Sequence, residues 1–293
     1  MTSPNPSRTR LMVTAAVVGA SAVLAGCGGA STALTSTTTT TQPAVTTTTH
    51  GVTTTTVPAV VQETLFFTRG DVLGVSHRSV TSPADPRLVT MQALLGGPIA
   101  PESAAGLSSA IPAGTALRGL DVKSGVATVN FSPQFVLPGP AAVLSARLAQ
   151  VVYTLTNFPN VSQVSFQIGR FPLLNFAGVN LANPVGRSQV TAALPPVLLV
   201  SPAVGDSVHG TVVASGITSV VGTWALSVSD AQGHLLTTVT NTAVPGGTFS
   251  QTIPISVTST QTGTLTMFAK PTSASVPAQT FTFPLQIGPA PGS

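Results

Sequence analysis

The side chains able to do acid–base, nucleophilic or metal chemistry are few and scattered. The carboxylates beyond the N-terminal region are Glu63, Asp71, Asp85, Glu102, Asp121, Asp206 and Asp230, and the histidines are His50, His77, His209 and His234. Two carboxylates converging on a cleft could cleave a glycosidic bond. Closely spaced histidines and acids could hold a metal ion. The sequence offers neither spacing: the histidines are far apart, and most acids fall beside expected turns or helix starts, where capping and solvation account for them. G-x-S-x-G, H-E-x-x-H, a phosphate-binding loop and a dinucleotide glycine motif are missing. Asn160-Val161-Ser162 fits the glycosylation triplet, but reads as incidental at a strand start. The expectation is a protein that is not an enzyme, with no catalytic, metal or cofactor-binding residue.

The one residue with a chemical task is Cys27, the only cysteine. A single cysteine excludes an intrachain disulfide framework. Arg8 and Arg10 precede an apolar run from Leu11 to Val23, and Leu24-Ala25-Gly26-Cys27 follows. A basic start, a short apolar stretch and small residues before a cut describe a secretory signal, too short for an ordinary membrane span. Leu24, Ala25, Gly26 and Cys27 resemble the bacterial lipobox, in which the thiol receives a diacylglyceryl group and becomes residue one after cleavage. The expected outcome is a diacylglyceryl, palmitate-bearing cysteine at the extracytoplasmic face of the cell membrane. Each buried CH₂ contributes about 0.8 kcal/mol, so two or three chains hold firmly.

Of 293 residues only 6% are charged, and the surface must be dominated by Thr, Ser, Asn, Gln and Gly. Arg8 and Arg10 contribute two of the formal +4. No Lys/Arg cluster remains beyond them, which argues against nucleic acid as a partner. Ser31 to Val57 is of low complexity, with threonine runs at 37–41, 46–49 and 53–56. It has no apolar periodicity with which to bury a core, so it reads as a flexible tether. Its threonines could equally be bare or carry O-linked sugars, and His50 within it reads as a bystander.

The elements that must position everything else begin near residue 60. Glu63–Arg69 and Val72–Val80 read as strands joined at Gly70-Asp71. A helix starts at Asp85 or Pro86 and stops at Gly96-Gly97-Pro98. Leu117–Val122 and Val126–Phe131 form a second strand pair. The central stretch is Pro140 to Gly169: Leu144, Leu148, Val151 and Leu155 lay an apolar stripe along one helix face, with Pro140 expected in the first turn. The period then changes to two, with Val164, Phe166 and Ile168 alternating with polar residues as a strand. The order β-β-α-β-β-α-β gives an α+β domain, with helices on a mixed sheet. Arg78 is expected to cap or pair locally, facing away from its neighbour His77, and Tyr153 to be buried.

These residues carry a resemblance. Leu94-Leu95-Gly96-Gly97-Pro98, Ile111-Pro112-Ala113-Gly114-Thr115, Val129-Asn130-Phe131-Ser132 and Ala149-Gln150-Val151-Val152-Tyr153-Thr154-Leu155 resemble, in order, the motifs of the GerMN domain of sporulation and spore germination proteins. Asn130 departs from that family, which commonly has Asp there. The resemblance covers most of residues 60–176 and implies a non-catalytic module, of the ring-building type used in envelope assemblies.

After Val179–Leu194, which reads as a linker, the pattern becomes all-β. Seven short strands are expected between Val197 and Ile287, spaced as in a sandwich. Ser201-Pro202, Gly205, Val212, Ser215-Gly216, the strand Trp224–Asp230 and Gly247-Thr248-Phe249 resemble the immunoglobulin-like domain of bacterial spore germination proteins. That family often carries a Glu beside the first central strand, where this chain has Gly222-Thr223, so its contact is not carried over. Trp224 shares a strand face with Leu226 and Val228 and is expected in the core.

The organisation read from the sequence is a lipoprotein signal peptide (1–26), a lipidated Thr-rich disordered tether (27–59), a GerMN-like α+β domain (60–178), a linker (179–194) and an immunoglobulin-like β-sandwich (195–288). The function that follows is a membrane-anchored envelope lipoprotein acting as a non-catalytic binding or assembly scaffold. Its expected partners are the membrane, through the lipid, envelope proteins and further copies of itself. The competing readings are an accessory protein modulating a membrane sensor kinase, and a binder or hydrolase of cell-wall glycan. A glycan reader should expose aromatic residues, and with one Trp and one Tyr the sequence argues mildly against it.

Overall fold

The structure is a computed structural model. It describes residues 60–81, 85–244 and 246–291, all within one compact unit, Thr56–Ser293. Leu24, Ala25, Gly26, Cys27, the signal peptide, the tether and His50 lie outside the described residues.

The first part opens with a hairpin, β1 (Val60–Arg69) and β2 (Val72–Thr81), paired without interruption from Val60 opposite Thr81 to Arg69 opposite Val72. Helix α1 (Pro86–Gly96) starts where Asp85 caps it by accepting from the Arg87 N–H at 3.0 Å. A short helix, α2 (Ala100–Ala104), follows. Strands β3 (Leu117–Lys123), β4 (Val126–Phe131), β5 (Gln163–Ile168) and β6 (Phe171–Pro172) form a four-stranded sheet in that order. The sheet is mixed: β4 and β5 run parallel, joined by α3 (Ala141–Leu155), and the other pairs are antiparallel. The hairpin β1–β2 is a separate two-stranded sheet rather than part of this one. Two more short strands, β7 (Asn175–Phe176) and β8 (Val179–Asn180), make a small hairpin beyond it.

Two expectations about α3 are corrected. Pro140 is its N-cap, in extended geometry, and not part of the first turn. The helix is also not one-sided, because every residue from Ala146 to Leu155 is buried. The stripe of Leu148, Val151 and Leu155 is real, but the opposite face is covered too, and its polar residues stitch the covering segments down. Arg147 donates to the carbonyls of Ala110, Phe135 and Leu137. Gln150 accepts from the Ala110 N–H at 2.8 Å, and the Thr154 hydroxyl accepts from the Phe66 N–H on β1 at 3.2 Å. Buried polar groups are tolerated because each is partnered.

The segment after β8 is well packed. Leu181, Val185 and Val190 are buried, and Val185 makes a two-way backbone bridge with Val164 on β5. Arg187 reaches back to α3, donating to the Thr156 hydroxyl at 2.8 Å and lying over the Tyr153 ring at 4.8 Å.

The second part is a β-sandwich of β9 (Val197–Ser201), β10 (Ser207–His209), β11 (Thr211–Thr218), β12 (Gly222–Ser229), β13 (Leu235–Ala243), β14 (Gly247–Pro254), β15 (Gln261–Pro271) and β16 (Gln279–Gly288). They pair along one path, β13-β12-β15-β16-β10-β11-β14, with β9 also on β11. The path folds over itself: Trp224 on β12 meets Phe249 on β14 at 4.4 Å between ring centroids, although those strands are far apart along it. Inward residues alternate with polar outward ones, as in Val212 and Ala214 on β11 or Trp224, Leu226 and Val228 on β12. Trp224 is buried in this core, as its strand face implies.

Candidate functional site

The structure keeps most of the charged residues apart. Asp121 pairs with Lys123 at the surface, Asp230 with His234 in a turn, and Asp85 with Arg87 at the start of α1. Among the described residues no group of three or more His, Cys, Asp or Glu could hold a metal. One polar cluster is buried. Arg78 grips Glu102 of α2 with two nitrogens, at 2.8 and 2.5 Å, and also donates to the Gly97 carbonyl at the end of α1. It thus both caps and pairs, although its partners come from helices and not from its own strand. Glu102 further accepts from the Ser76 hydroxyl and from the Ile99 N–H. Burial alone would raise its pKa; the Arg78, Ser76 and Ile99 donors outweigh that and hold it below the usual value. Glu63, opposite Arg78 in the hairpin, is buried with neither carboxylate oxygen hydrogen-bonded, because the Thr90 hydroxyl beside it is spent on the Pro86 carbonyl. Burial pushes the Glu63 carboxyl up, against smaller opposing effects of Thr90 and Arg78. Two buried carboxylates around one guanidinium could suggest acid–base work, but the cluster sits under α2 and its hydrogen bonds hold elements together.

A second polar cluster joins the two parts. The backbone of Val204 continues the hairpin as a bridge beside Ser76, its carbonyl accepting from the His77 N–H at 2.9 Å. The His77 ring meets the Asp206 carboxylate at 2.8 Å, and Asp206 also accepts from the Ala203 N–H. Gly205 between them has φ +101, and a Cβ there would overlap the His77 carbonyl oxygen, so only glycine fits. On the other side of the hairpin, Thr68 bridges to Ser108 of the first part. Both edges of β1–β2 are therefore occupied, one by each part. Arg69 at the hairpin tip donates to the Ala105 carbonyl and lies 5.1 Å over Phe281 of β16. His77 and Arg78 do face opposite ways, one toward each cluster.

The surfaces left open are sheet surfaces. On the four-stranded sheet, the face opposite buried Ala127, Val129, Val164 and Phe166 carries Asp121 and Lys123, Thr128 and Asn130, and Gln163, Ser165 and Gln167. Strand β3 ends this sheet and β13 ends the sandwich path, each with unpaired backbone groups along one side. Leu235 at the start of β13 is 63% exposed. Among the described residues, no helix is long and apolar enough to cross a membrane.

Comparison with known proteins finds a family match within the first part. A family model described as "Sporulation and spore germination" matches residues 64–172. Among solved structures, the tandem GerMN domains of the sporulation protein GerM from Bacillus subtilis are similar at 17% identity, covering 63% of this chain and 61% of that one, with a TM-score of 0.40. The first GerMN domain of the same protein gives 21% identity, 44% and 98% coverage, and a TM-score of 0.36. A Clostridium perfringens protein provisionally named a lipoprotein gives 20% identity, 44% and 89% coverage, and a TM-score of 0.33. No curated protein matches the chain. The segment from β1 to β6, with α1 to α3 between the strands, is thus the part of this chain that matches the sporulation and spore germination model, and a β-sandwich follows it.

Proposed function

We propose that this chain is an envelope lipoprotein, anchored through Cys27 at the outer face of the cytoplasmic membrane, whose two folded parts form one non-catalytic platform for an extracytoplasmic assembly. The observation that carries this reading is the shared hairpin. With β1–β2 bridged to Ser108 on one edge and to Val204 on the other, the two parts present their open strands β3 and β13 in a fixed relation. Open strands bind partners by strand addition, where backbone hydrogen bonds give affinity and side chains give choice. The sporulation and germination domain and the Leu24-Ala25-Gly26-Cys27 sequence support an exported, envelope setting. The scarcity of charge makes such contacts weakly dependent on salt.

The test has two arms. Cells fed an alkyne fatty acid should label the wild-type chain and leave Cys27→Ala unlabelled and released from the membrane. Photo-crosslinkers placed along β3 and β13 should then yield a defined envelope adduct, or a self-adduct, that depends on the anchor. A sensor-kinase receptor domain as the sole adduct would replace the scaffold reading with the accessory one. Wall glycan released or retained without any protein adduct would overturn both.

A further inference from the structure

At one end of the four-stranded sheet lies a cleft of about 330 Å³, lined by Arg118, Asn130, Ser132, Pro133, Gly169 and Arg170. Arg118 occupies the bulge where β3 slips its register between Leu117 and Gly119, and Arg170 follows Gly169 in the turn between β5 and β6. The cleft is built where a bulge and a tight turn meet at the end of β4.

The arginines of this chain are otherwise engaged. Arg69 holds the Ala105 carbonyl, Arg78 holds Glu102, Arg87 holds Asp85, Arg147 holds three carbonyls and Arg187 holds Thr156. Arg118 and Arg170 alone, among the described arginines, have no hydrogen bond, ion pair or ring contact, and both line this one cleft. The nearest acid on β3, Asp121, is paired with Lys123 at 2.9 Å and does not neutralise them. A chain with 6% charged residues thus sets two unpaired guanidiniums at the same opening. Beside them, the Asn130 Oδ1 is shut off from solvent with no donor. The Ser132 hydroxyl accepts from the Ala116 N–H at 2.9 Å and keeps its own proton to give.

We propose that this cleft binds a phosphoryl group, with Arg118 and Arg170 as its charge partners and Ser132 as a neutral donor. One guanidinium fork saturates a carboxylate. Two guanidiniums at one opening fit a group with more oxygen acceptors and more charge, as phosphate esters have. In an envelope setting this chemistry occurs on phospholipid headgroups and on phosphate-linked polymers, and both present the same group to the cleft.

The experiment titrates the full chain, carrying Cys27→Ala to remove acylation, with glycerol 3-phosphate by calorimetry at 50 mM salt. Saturable binding is expected, weakened at least tenfold by Arg118→Gln and by Arg170→Gln and at 300 mM salt. Neither arginine has a partner to lose, so these variants should melt at the wild-type temperature. Asn130→Asp, which places a carboxylate at the opening, should abolish binding with little change of shape. Binding to phosphatidylglycerol vesicles over phosphatidylcholine vesicles, lost in Asn130→Asp, would support the site and assign it to a headgroup. Binding of glycerol 3-phosphate without that vesicle preference would support it and assign it to a soluble or polymeric phosphate. No binding by the wild type, equal binding by the variants, or equally tight binding of acetate would overturn it.

Discussion

Arg78 stands directly opposite Glu63 in the β1–β2 ladder, yet its guanidinium turns away to Glu102 on α2. A cation shared between two buried acids leaves one of them, Glu63, without a hydrogen bond. Buried charge without a partner is destabilising.

Glu63→Gln should therefore stabilise the protein by about 1 kcal/mol at pH 7. The folded-state pKa of Glu63 lies above its ordinary value of 4.5, so wild-type stability falls as pH rises through the interval between the two. The advantage of Gln should vanish near pH 4, where the acid is protonated folded and unfolded. Calorimetric melting at the two pH values checks this, and an equal gain at both would refute it.

Glu102 titrates the opposite way. Its pKa is held below 4.5, so its contribution is full at neutral pH and is lost as pH falls through the folded value. Glu102→Gln should cost about 2 kcal/mol at pH 7 and progressively less in acid. Arg78→Leu should cost more, because it strands two carboxylates, whereas Glu102→Gln frees Arg78 to turn to Glu63. A double-mutant cycle between positions 63 and 102 should show clear non-additivity.

Asp206→Ala removes the His77 partner and the acceptor of the Ala203 N–H together. We expect a loss of about 1–3 kcal/mol, concentrated in the docking of the two parts. Melting should broaden or split into two transitions, and limited proteolysis should cut first between residues 187 and 206. A uniform shift of one sharp transition would mean that the hairpin bridge at Val204 suffices.

Gly216→Ala tests the sandwich alone. Gly216 sits at the bulge where β11 passes β9, and a Cβ would overlap the Leu198 carbonyl oxygen and press on the Phe249 ring. Overpacking of this kind costs about 1–3 kcal/mol, more where backbone must move. Near-ultraviolet dichroism of Trp224, which packs on Phe249, should change with it.

What the sequence disclosed depended on the range of the interaction. The strand pair around Gly70-Asp71, the capped start of α1 at Asp85 and the alternation in β12 are local patterns, and the structure has them where periodicity and turn residues place them. Helix α2 escaped notice because its five residues include no apolar period, and β10 because three residues are too few to show one. The stripe on α3 was legible, but its covered polar face was not, since Arg147, Gln150 and Thr154 look like solvent residues until the loops they bind are known. His77 gave no sign of its role, because Asp206 lies in the other part of the chain. The arginine cleft stayed hidden for the same reason: a bulge and a turn bring Arg118 and Arg170 together.

The hairpin also decides how the molecule carries load. Among the described residues the chain enters at β1, so a pull transmitted from its N-terminal side is taken up by that strand. The strand is long, pairs with β2 from end to end, and is held from behind by the Ser108 bridge and by Thr154 on the central helix. Because β2 is in turn bonded to Val204, the force passes into the sandwich without crossing a free joint. Tension against a fixed partner is thus shared lengthwise among many hydrogen bonds, and the molecule behaves as a stiff strut rather than as two beads on a string.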